Sequence, residues 1–254
     1  MRDSSRPPQA RRPVWAHGLP AGMELLAGLG LVGLLVEAVQ WRLAAPRGLG
    51  WSVGGVYLGM ALIILWAWPA ARRWLGWANR VTLLRAVLIA LLAGSMAFPA
   101  FMERHVLEMT WVALLALCLD GIDGWVARHT HSASDFGARF DMELDAFFIM
   151  VLCCALIVLD KLGGWVLVVG AMRYTFVAAG HAWTWLRRPL FPSLRRKAVC
   201  VWQVASLLVA LLPWVSSFWA ALCVGVALAL LIYSFARDVV WLYRHRRMGG
   251  SRYP

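Results

Sequence analysis

Four aspartates between positions 120 and 145 have the residue type and the spacing to do chemistry. Asp120 and Asp123 are three residues apart, so on a helix their carboxylates lie on one face. Beyond a polar turn, Asp141 and Asp145 are four residues apart and share one face of the next helix. Two antiparallel helices joined by this turn can therefore point four carboxylates at one another.

These carboxylates stand between strongly apolar segments, which predicts a cationic partner for them. An isolated charge at the centre of a bilayer costs roughly 2.5 to 3.5 kcal/mol. Carboxylates without a Cys or His ligand pattern suit hard divalent ions such as Mg²⁺ or Mn²⁺, and such ions suit a pyrophosphate substrate. Gly124, Ala127 and Gly137 recur on the same two faces, where small residues let a ligand approach the backbone.

The composition predicts that an all-α polytopic membrane protein positions this cluster. Hydrophobic residues make up 61% of the 254 residues and charged residues only 15%, and the mean hydropathy is +0.67. A helix needs about 20 apolar residues to cross the hydrocarbon layer. Eight runs approach this length, approximately at residues 21–41, 52–71, 81–99, 106–127, 138–159, 163–185, 198–213 and 216–240.

The distribution of the net charge of +12 predicts a membrane topology and no nucleic-acid partner. Most of the 25 Lys and Arg residues fall in alternate connections between the apolar runs and not on one soluble face. Cytoplasmic connections carry such an excess of basic residues. We therefore expect a multi-pass protein of the inner (cytoplasmic) membrane, with both termini and the acidic cluster on the cytoplasmic side.

The acidic stretch resembles the signature of the CDP-alcohol phosphatidyltransferase family. The matching residues are Asp120, Asp123, Gly124, Ala127, Arg128, Gly137, Asp141 and Asp145. The resemblance implies a homodimeric membrane enzyme with a core of six helices. It also implies transfer of the phosphatidyl group of CDP-diacylglycerol, or a related CDP-alcohol, to an acceptor hydroxyl in phospholipid biosynthesis, with release of CMP.

The same resemblance implies a role for each matching residue. The implied ligands of two Mg²⁺ or Mn²⁺ ions are Asp120, Asp123, Asp141 and Asp145. Asp145 is also the implied base that takes the proton of the acceptor. The implied CDP-binding residues are Gly124, Ala127, Arg128 and Gly137, together with Asn79 and Thr82 of the earlier segment NRVTLLR.

Composition and resemblance together divide the chain into four parts. Residues 1–20 are rich in Pro and Arg and predict a disordered basic arm. Residues 21–71 predict two additional transmembrane helices, and residues 72–240 the six-helix catalytic membrane domain. Residues 241–254 predict a basic cytoplasmic tail.

Three basic residues predict where the acceptor binds. Arg173 lies inside an apolar run and resembles the family arginine that faces the acceptor pocket; the alternative is a salt bridge to one of the site's own carboxylates. Arg196 and Lys197 precede the next run, where positive-inside charge would also explain them. Because guanidinium groups bind phosphate well, these residues favour a phosphorylated polyol such as glycerol 3-phosphate or an inositol phosphate.

Other functions are compatible with parts of this pattern. Serine, choline or another alcohol is an alternative acceptor in the same reaction. An aromatic prenyltransferase-like enzyme also uses Asp clusters, but it has two separated acidic motifs where this sequence has one. A metal-ion or proton-coupled transporter would place polar groups in several spans, whereas these acids gather at one face.

Overall fold

The computed structural model describes residues 21–66, 77–129, 135–183, 185 and 193–244, and the regular structure in these ranges is helical. The α-helices of the described residues are α1 (Ala21–Leu43), α2 (Leu49–Trp66), α3 (Trp77–Ser95), α4 (Pro99–Arg104), α5 (Val106–His129), α6 (Asp135–Val158), α7 (Leu167–Ala182), α8 (Leu194–Leu211) and α9 (Ser217–Arg244). A 3₁₀ turn, Gly164–Val166, leads into α7. The predicted arm and most of the predicted tail lie outside the described residues. The all-α class is confirmed.

The long helices correspond one by one to the eight predicted apolar runs, and the short α4 begins at Pro99. In the described part of the chain, three helices are long and apolar enough to cross a membrane, judged by length and composition. They are Gly22–Leu43, Leu49–Trp66 and Ser217–Arg244. The structure thus gives three candidate spans, and the eight-span topology stays a prediction.

Helix α3 is the centre of the helical bundle and packs against α1, α2, α5 and α6. Its residues 86–92 are apolar at every position. A helix that is apolar on all sides is normally buried on all sides. Accordingly, residues 86–92 are buried, and Ile89, Ala90 and Leu91 are fully so. A charged residue on α3 must therefore find its partners within the protein.

Helices α1 and α2 form a pair that is fixed to α3 by close contacts. The Tyr57 hydroxyl donates to the Leu25 carbonyl at 2.9 Å within the pair. The Ser52 hydroxyl donates to the Gly94 carbonyl of α3, also at 2.9 Å. Gly94 allows this approach, because a Cβ there would lie 2.7 Å from backbone atoms of Val53. The first two helices therefore pack directly on the backbone of α3.

An ion pair adds a charged contact between α1 and the start of α3. Arg80 donates from Nε and Nη2 to Oε1 of Glu24, at 3.1 and 2.7 Å. The Glu24 side chain is only 5% exposed, whereas that of Arg80 is 34% exposed. The second carboxylate oxygen of Glu24 is buried without a hydrogen-bond partner. This pair lies close in sequence to Asn79 and Thr82, two of the predicted nucleotide-binding residues.

Helices α8 and α9 are joined at both ends by polar contacts. Arg195 donates to the Asp238 carboxylate at 2.6 Å and to the Ser234 carbonyl at 3.1 Å. At the other end, the Lys161 ammonium donates to the Ala210 and Val215 carbonyls at 3.1 and 3.2 Å. Burial lowers the pKa of Lys161. These contacts satisfy carbonyls at the end of α8 that have no partner within the helix.

Candidate active site

Arg85 of α3 holds three of the predicted aspartates together. Its Nη1 lies 2.7 Å from Oδ1 of Asp120 and 2.6 Å from Oδ1 of Asp141. Its Nη2 lies 2.5 Å from Oδ1 of Asp145. Asp120 is on α5 and the other two aspartates are on α6, so one guanidinium joins three helices. The Arg85 side chain is only 1% exposed.

The local sequence of α6 explains how the acids reach this position. Asp141 and Asp145 continue at helical spacing into Phe148 and Leu152, which are buried. The apolar end of this stripe packs in the core, and α6 contacts α3. The acidic end is thereby brought to the Arg85 side chain.

The cluster has the charge and the ligand atoms to hold a divalent cation. One guanidinium faces three carboxylates, so negative charge is in excess. The side chains of Asp120, Asp141 and Asp145 are 34%, 37% and 44% exposed, and one oxygen from each lies within 4.8 Å of the others. Carboxylate oxygens are the ligands that Mg²⁺ and Mn²⁺ prefer. The residues present therefore fit such an ion.

Several predicted site residues have side chains outside the described part of the chain. They are Asn79 on α3 and Asp123, Gly124, Ala127 and Arg128 on α5. Helix α5 continues as far as His129, so the predicted signature spacing does fall on a helix. Their roles stay predictions.

Thr82 and Gly137 lie one helical turn from the cluster. Thr82 precedes Arg85 by three residues on α3 and is 2% exposed, so the two share one face of that helix. Gly137 precedes Asp141 by four residues on α6 and is half-buried. Thr82 thus lies one turn from Arg85, and Gly137 one turn from Asp141.

A cavity of about 400 Å³ lies against the cluster, and α5 to α9 all contribute to its wall. Asp120 and Asp145 line it on the acidic side. Most of the remaining wall is apolar, with Arg173 of α7 and Gln203 of α8 as polar exceptions. Gln203 is 4% exposed and donates to the Val169 carbonyl at 3.4 Å. The cavity has the volume of a small-ligand site and ends at two carboxylates.

Of the three basic residues predicted to bind the acceptor, Arg173 is the one that lines the described cavity. Its Nη2 donates to Oε1 of Glu143 at 2.8 Å, so its partner is an acid outside the aspartate stripe. Nη1 of Arg196, on α8, lies 3.7 Å from Oδ2 of Asp238, on α9. Lys197 is exposed.

Two contacts of this site were not predicted from the sequence. The family resemblance of the segment NRVTLLR implied that Arg85, with Asn79 and Thr82, helps to shape the nucleotide site, but it implied no link to the acids. The available signal was an arginine at the edge of an apolar run, because such a charge needs a partner. Glu143 was assigned no role, although it stands between two signature aspartates.

A comparison with protein families decides what kind of site this is. A sequence profile described as CDP-alcohol phosphatidyltransferase matches residues 75–233, well over half of the chain. The chain belongs to the CDP-alcohol phosphatidyltransferase family. The match begins just before α3 and ends within α9, so it contains the acids, Arg85 and every lining residue of the cavity except Phe235. Helices α1 and α2 precede it.

A curated relative agrees with this CDP-alcohol phosphatidyltransferase assignment. It is the CDP-diacylglycerol–inositol 3-phosphatidyltransferase of Schizosaccharomyces pombe, 43% identical over 56 residues. The aligned segment is 22% of this chain and 24% of that protein, so the chain spans about a quarter of the length of the relative it matches. No solved structure matches the chain.

Proposed function

We propose that this protein transfers the phosphatidyl group of CDP-diacylglycerol to a hydroxyl of a small polyol and releases CMP. The observation that carries the proposal is the convergence of Asp120, Asp141 and Asp145 beside a cavity of about 400 Å³. Family membership supports a CDP-alcohol donor and a hydroxyl acceptor. The two carboxylates, together with Arg173 and Gln203, are the polar groups of an otherwise mostly apolar cavity wall.

In this proposal the four signature aspartates hold two divalent ions, Mg²⁺ or Mn²⁺. When bound, such ions neutralise the charge of a diphosphate and of the departing CMP. Arg85 is a positioning residue, since it keeps three carboxylates convergent that would otherwise repel one another. The partial exposure of these carboxylates supports their access to a ligand.

Asp145 is the proposed general base. Its side chain is 44% exposed and lines the cavity, so an acceptor hydroxyl there can donate a hydrogen bond to it. The hydroxyl oxygen forms a bond to the phosphorus of the phosphatidyl group, while the bond from that phosphorus to CMP breaks. The hydroxyl proton passes to the Asp145 carboxylate.

The proposed nucleotide site surrounds the acids on α3, α5 and α6. Its residues are Asn79, Thr82, Gly124, Ala127, Arg128 and Gly137. The positions of Thr82, one turn from Arg85, and Gly137, one turn from Asp141, support this assignment. Small residues at three of these positions would let the diphosphate approach the backbone.

Two forms of the polyol acceptor have specific support. Arg173, Arg196 and Lys197 support a phosphorylated polyol, such as glycerol 3-phosphate or an inositol phosphate. The name of the curated relative supports an unphosphorylated one, inositol. Serine and choline belong in the same assay as alternative acceptors.

The proposed setting is the inner membrane, with the site and both termini on the cytoplasmic side and the chain as a homodimer. The excess of basic residues in alternate connections supports this orientation. Water-soluble acceptors and CMP would then exchange with the cytoplasm. Helices α1 and α2 form an addition before the catalytic domain.

The test is CMP release by the purified full-length protein in detergent, with CDP-diacylglycerol, Mg²⁺ or Mn²⁺ and each acceptor in turn. We expect release that requires one acceptor, stops when a chelator removes the metal, and falls by at least about 10²-fold in Asp145→Asn, because a positioned base contributes about that much. Asp160→Asn is the matched control: Asp160 is exposed, between α6 and α7, with a φ of 51° that asparagine also adopts.

Two results would contradict the proposal. One is CMP release that is equal in the Asp145→Asn and Asp160→Asn variants, since it would remove Asp145 as the base. The other is no release with any acceptor from folded, metal-binding protein. In that case, ion flux into vesicles that contain the protein would distinguish a transporter from an enzyme with another donor.

A further inference from the structure

We propose that Glu143 determines the charge of the acceptor. By holding the Arg173 guanidinium, it makes the cavity take an uncharged polyol in preference to a phosphorylated one. The inference rests on the proposed transfer reaction and chooses between its two supported acceptors. Glu143 is not among the residues of the family signature.

The wall of the cavity has few groups that could hold a phosphate. Among the described lining residues, Arg173 is the cationic side chain. The other charged lining residues, Asp120 and Asp145, repel a phosphate. Apart from any bound metal, a phosphorylated acceptor therefore depends on the Arg173 guanidinium.

That guanidinium is already engaged. Its Nη2 lies 2.8 Å from Oε1 of Glu143, and its Nε is buried without a hydrogen-bond partner. An arginine that binds a phosphate presents two N–H groups to it in parallel. Here one arm of the guanidinium is turned to Glu143, so a phosphate competes with that carboxylate for Nη2.

The position of Glu143 on α6 also draws Arg173 away from the reacting groups. Successive residues on an α-helix turn by about 100°, so Glu143 projects about 160° away from both Asp141 and Asp145. Arg173 nevertheless lines the same cavity as Asp145. Arg173 therefore lines the cavity while its Nη2 is held by an acid on a different face of α6 from the aspartates.

The Glu143–Arg173 ion pair is exposed enough for a ligand to replace Glu143 as the partner of Arg173. The two side chains are 60% and 34% exposed, and such solvated pairs contribute little to stability. With Glu143 in place, the pair carries no net charge, and a phosphorylated acceptor has to displace the carboxylate. In Glu143→Gln the residue at position 143 is uncharged, so the positive charge of Arg173 is no longer neutralised and can attract a phosphate.

The experiment compares two acceptors that differ by one phosphate group, inositol and an inositol phosphate, in the CMP-release assay. The proteins are the native chain, Glu143→Gln, the double variant Glu143→Gln with Arg173→Gln, and Glu103→Gln as matched control. Glu103 is an exposed acid on α4, away from the cavity lining. The measured quantity is the ratio of kcat/KM for the phosphorylated acceptor to kcat/KM for the neutral one.

We expect the native chain to prefer inositol. In Glu143→Gln the ratio should rise by about tenfold, mainly through a lower KM for the phosphorylated acceptor, because one charge–charge competition is removed. The double variant should lose this gain, and Glu103→Gln should match the native chain. A ratio that stays within twofold in Glu143→Gln, or a gain that survives in the double variant, would overturn the proposal.

A binding measurement separates this inference from the proposed reaction. Inorganic phosphate is added to the same proteins in detergent, and the shift in the midpoint of thermal unfolding is recorded. Glu143→Gln should be stabilised at a lower phosphate concentration than the native chain, and the double variant should not. If no protein releases CMP, the proposed reaction fails. Equal phosphate responses in the native chain and Glu143→Gln would refute the role of Glu143 by themselves.

Discussion

Arg85 and Arg173 both stand on predominantly apolar helices, one within the acidic cluster and the other on the wall of the adjoining cavity, and their surroundings differ. The Arg85 side chain is 1% exposed and contacts three aspartates at 2.5 to 2.7 Å. The Arg173 side chain is 34% exposed and contacts Glu143, which is itself 60% exposed. An arginine enclosed with several acids fixes the arrangement of helices, whereas one with a solvated partner can exchange that partner for a ligand.

The Glu24–Arg80 pair lies between these two cases. Its acid is almost fully buried and its arginine is one-third exposed. If burial decides the energetic role, removal of a charge should destabilise the protein most at Arg85, less at Glu24 and least at Glu143. Three variants test this order.

Arg85→Met should have the largest effect. It leaves three carboxylates close together without their buried cation, and the loss of one partner of a buried ion pair costs about 3 to 5 kcal/mol. We expect a matching fall in the free energy of unfolding, measured by Trp fluorescence during denaturant titration in detergent, and a loss of CMP release.

Arg85→Lys is the matched control, since it keeps the charge but not the two-armed contact. It should lie between Arg85→Met and the native chain. Saturating Mg²⁺ should restore part of the stability of Arg85→Met, because a cation then binds the three acids in the folded state. Native stability in Arg85→Met without added metal would contradict the comparison.

Glu24→Gln should have an intermediate effect of about 1.5 to 3 kcal/mol, the contribution of a hydrogen bond to a charged group. The exposed part of Arg80 can be solvated after the change, which limits the loss. The free energy of unfolding is measured as for Arg85. Glu37→Gln, at an exposed acid on the same helix, is the control and should be neutral.

Glu143→Gln should change stability by less than about 1 kcal/mol, because exposed ion pairs contribute between about 0 and 1 kcal/mol. The same variant is expected to change acceptor preference about tenfold. A small loss of stability together with a large change of acceptor preference would show that Arg173 acts in acceptor choice, whereas Arg85 acts in folding. A loss as large as that of Arg85→Met would show that the Glu143 pair is structural.

The parts of this site that follow from spacing along one helix were predictable. Asp141 and Asp145 share a face of α6 because they are four residues apart, and Asp120 faces them because α5 and α6 are consecutive helices. The positions of the long helices followed from the lengths of the apolar runs. These inferences need only local geometry.

The contacts between distant helices were not predictable in the same way. Residues 86–92 of α3 are apolar at every position, so they give no preferred face, and the spacing of Thr82 and Arg85 does not indicate that Arg85 points at α5 and α6. The Glu143–Arg173 contact depends on how closely α7 packs on α6. Gly170 permits this closeness, since a Cβ there would lie 3.0 Å from Cα of Met150. Such an approach appears only when both helices are in place.

The central position of α3 has a consequence for the order in which the protein is assembled. A chain is synthesised from its N-terminus, so α1 and α2 are complete before α3, and the acids on α5 and α6 follow after α3. When Arg85 is added to the chain, its three aspartates have not yet been synthesised. The first surface that α3 can meet is the α1–α2 pair, with Glu24 ready for Arg80 and Val53 against Gly94. The added helices can therefore act as a template that holds α3 until its own acids arrive.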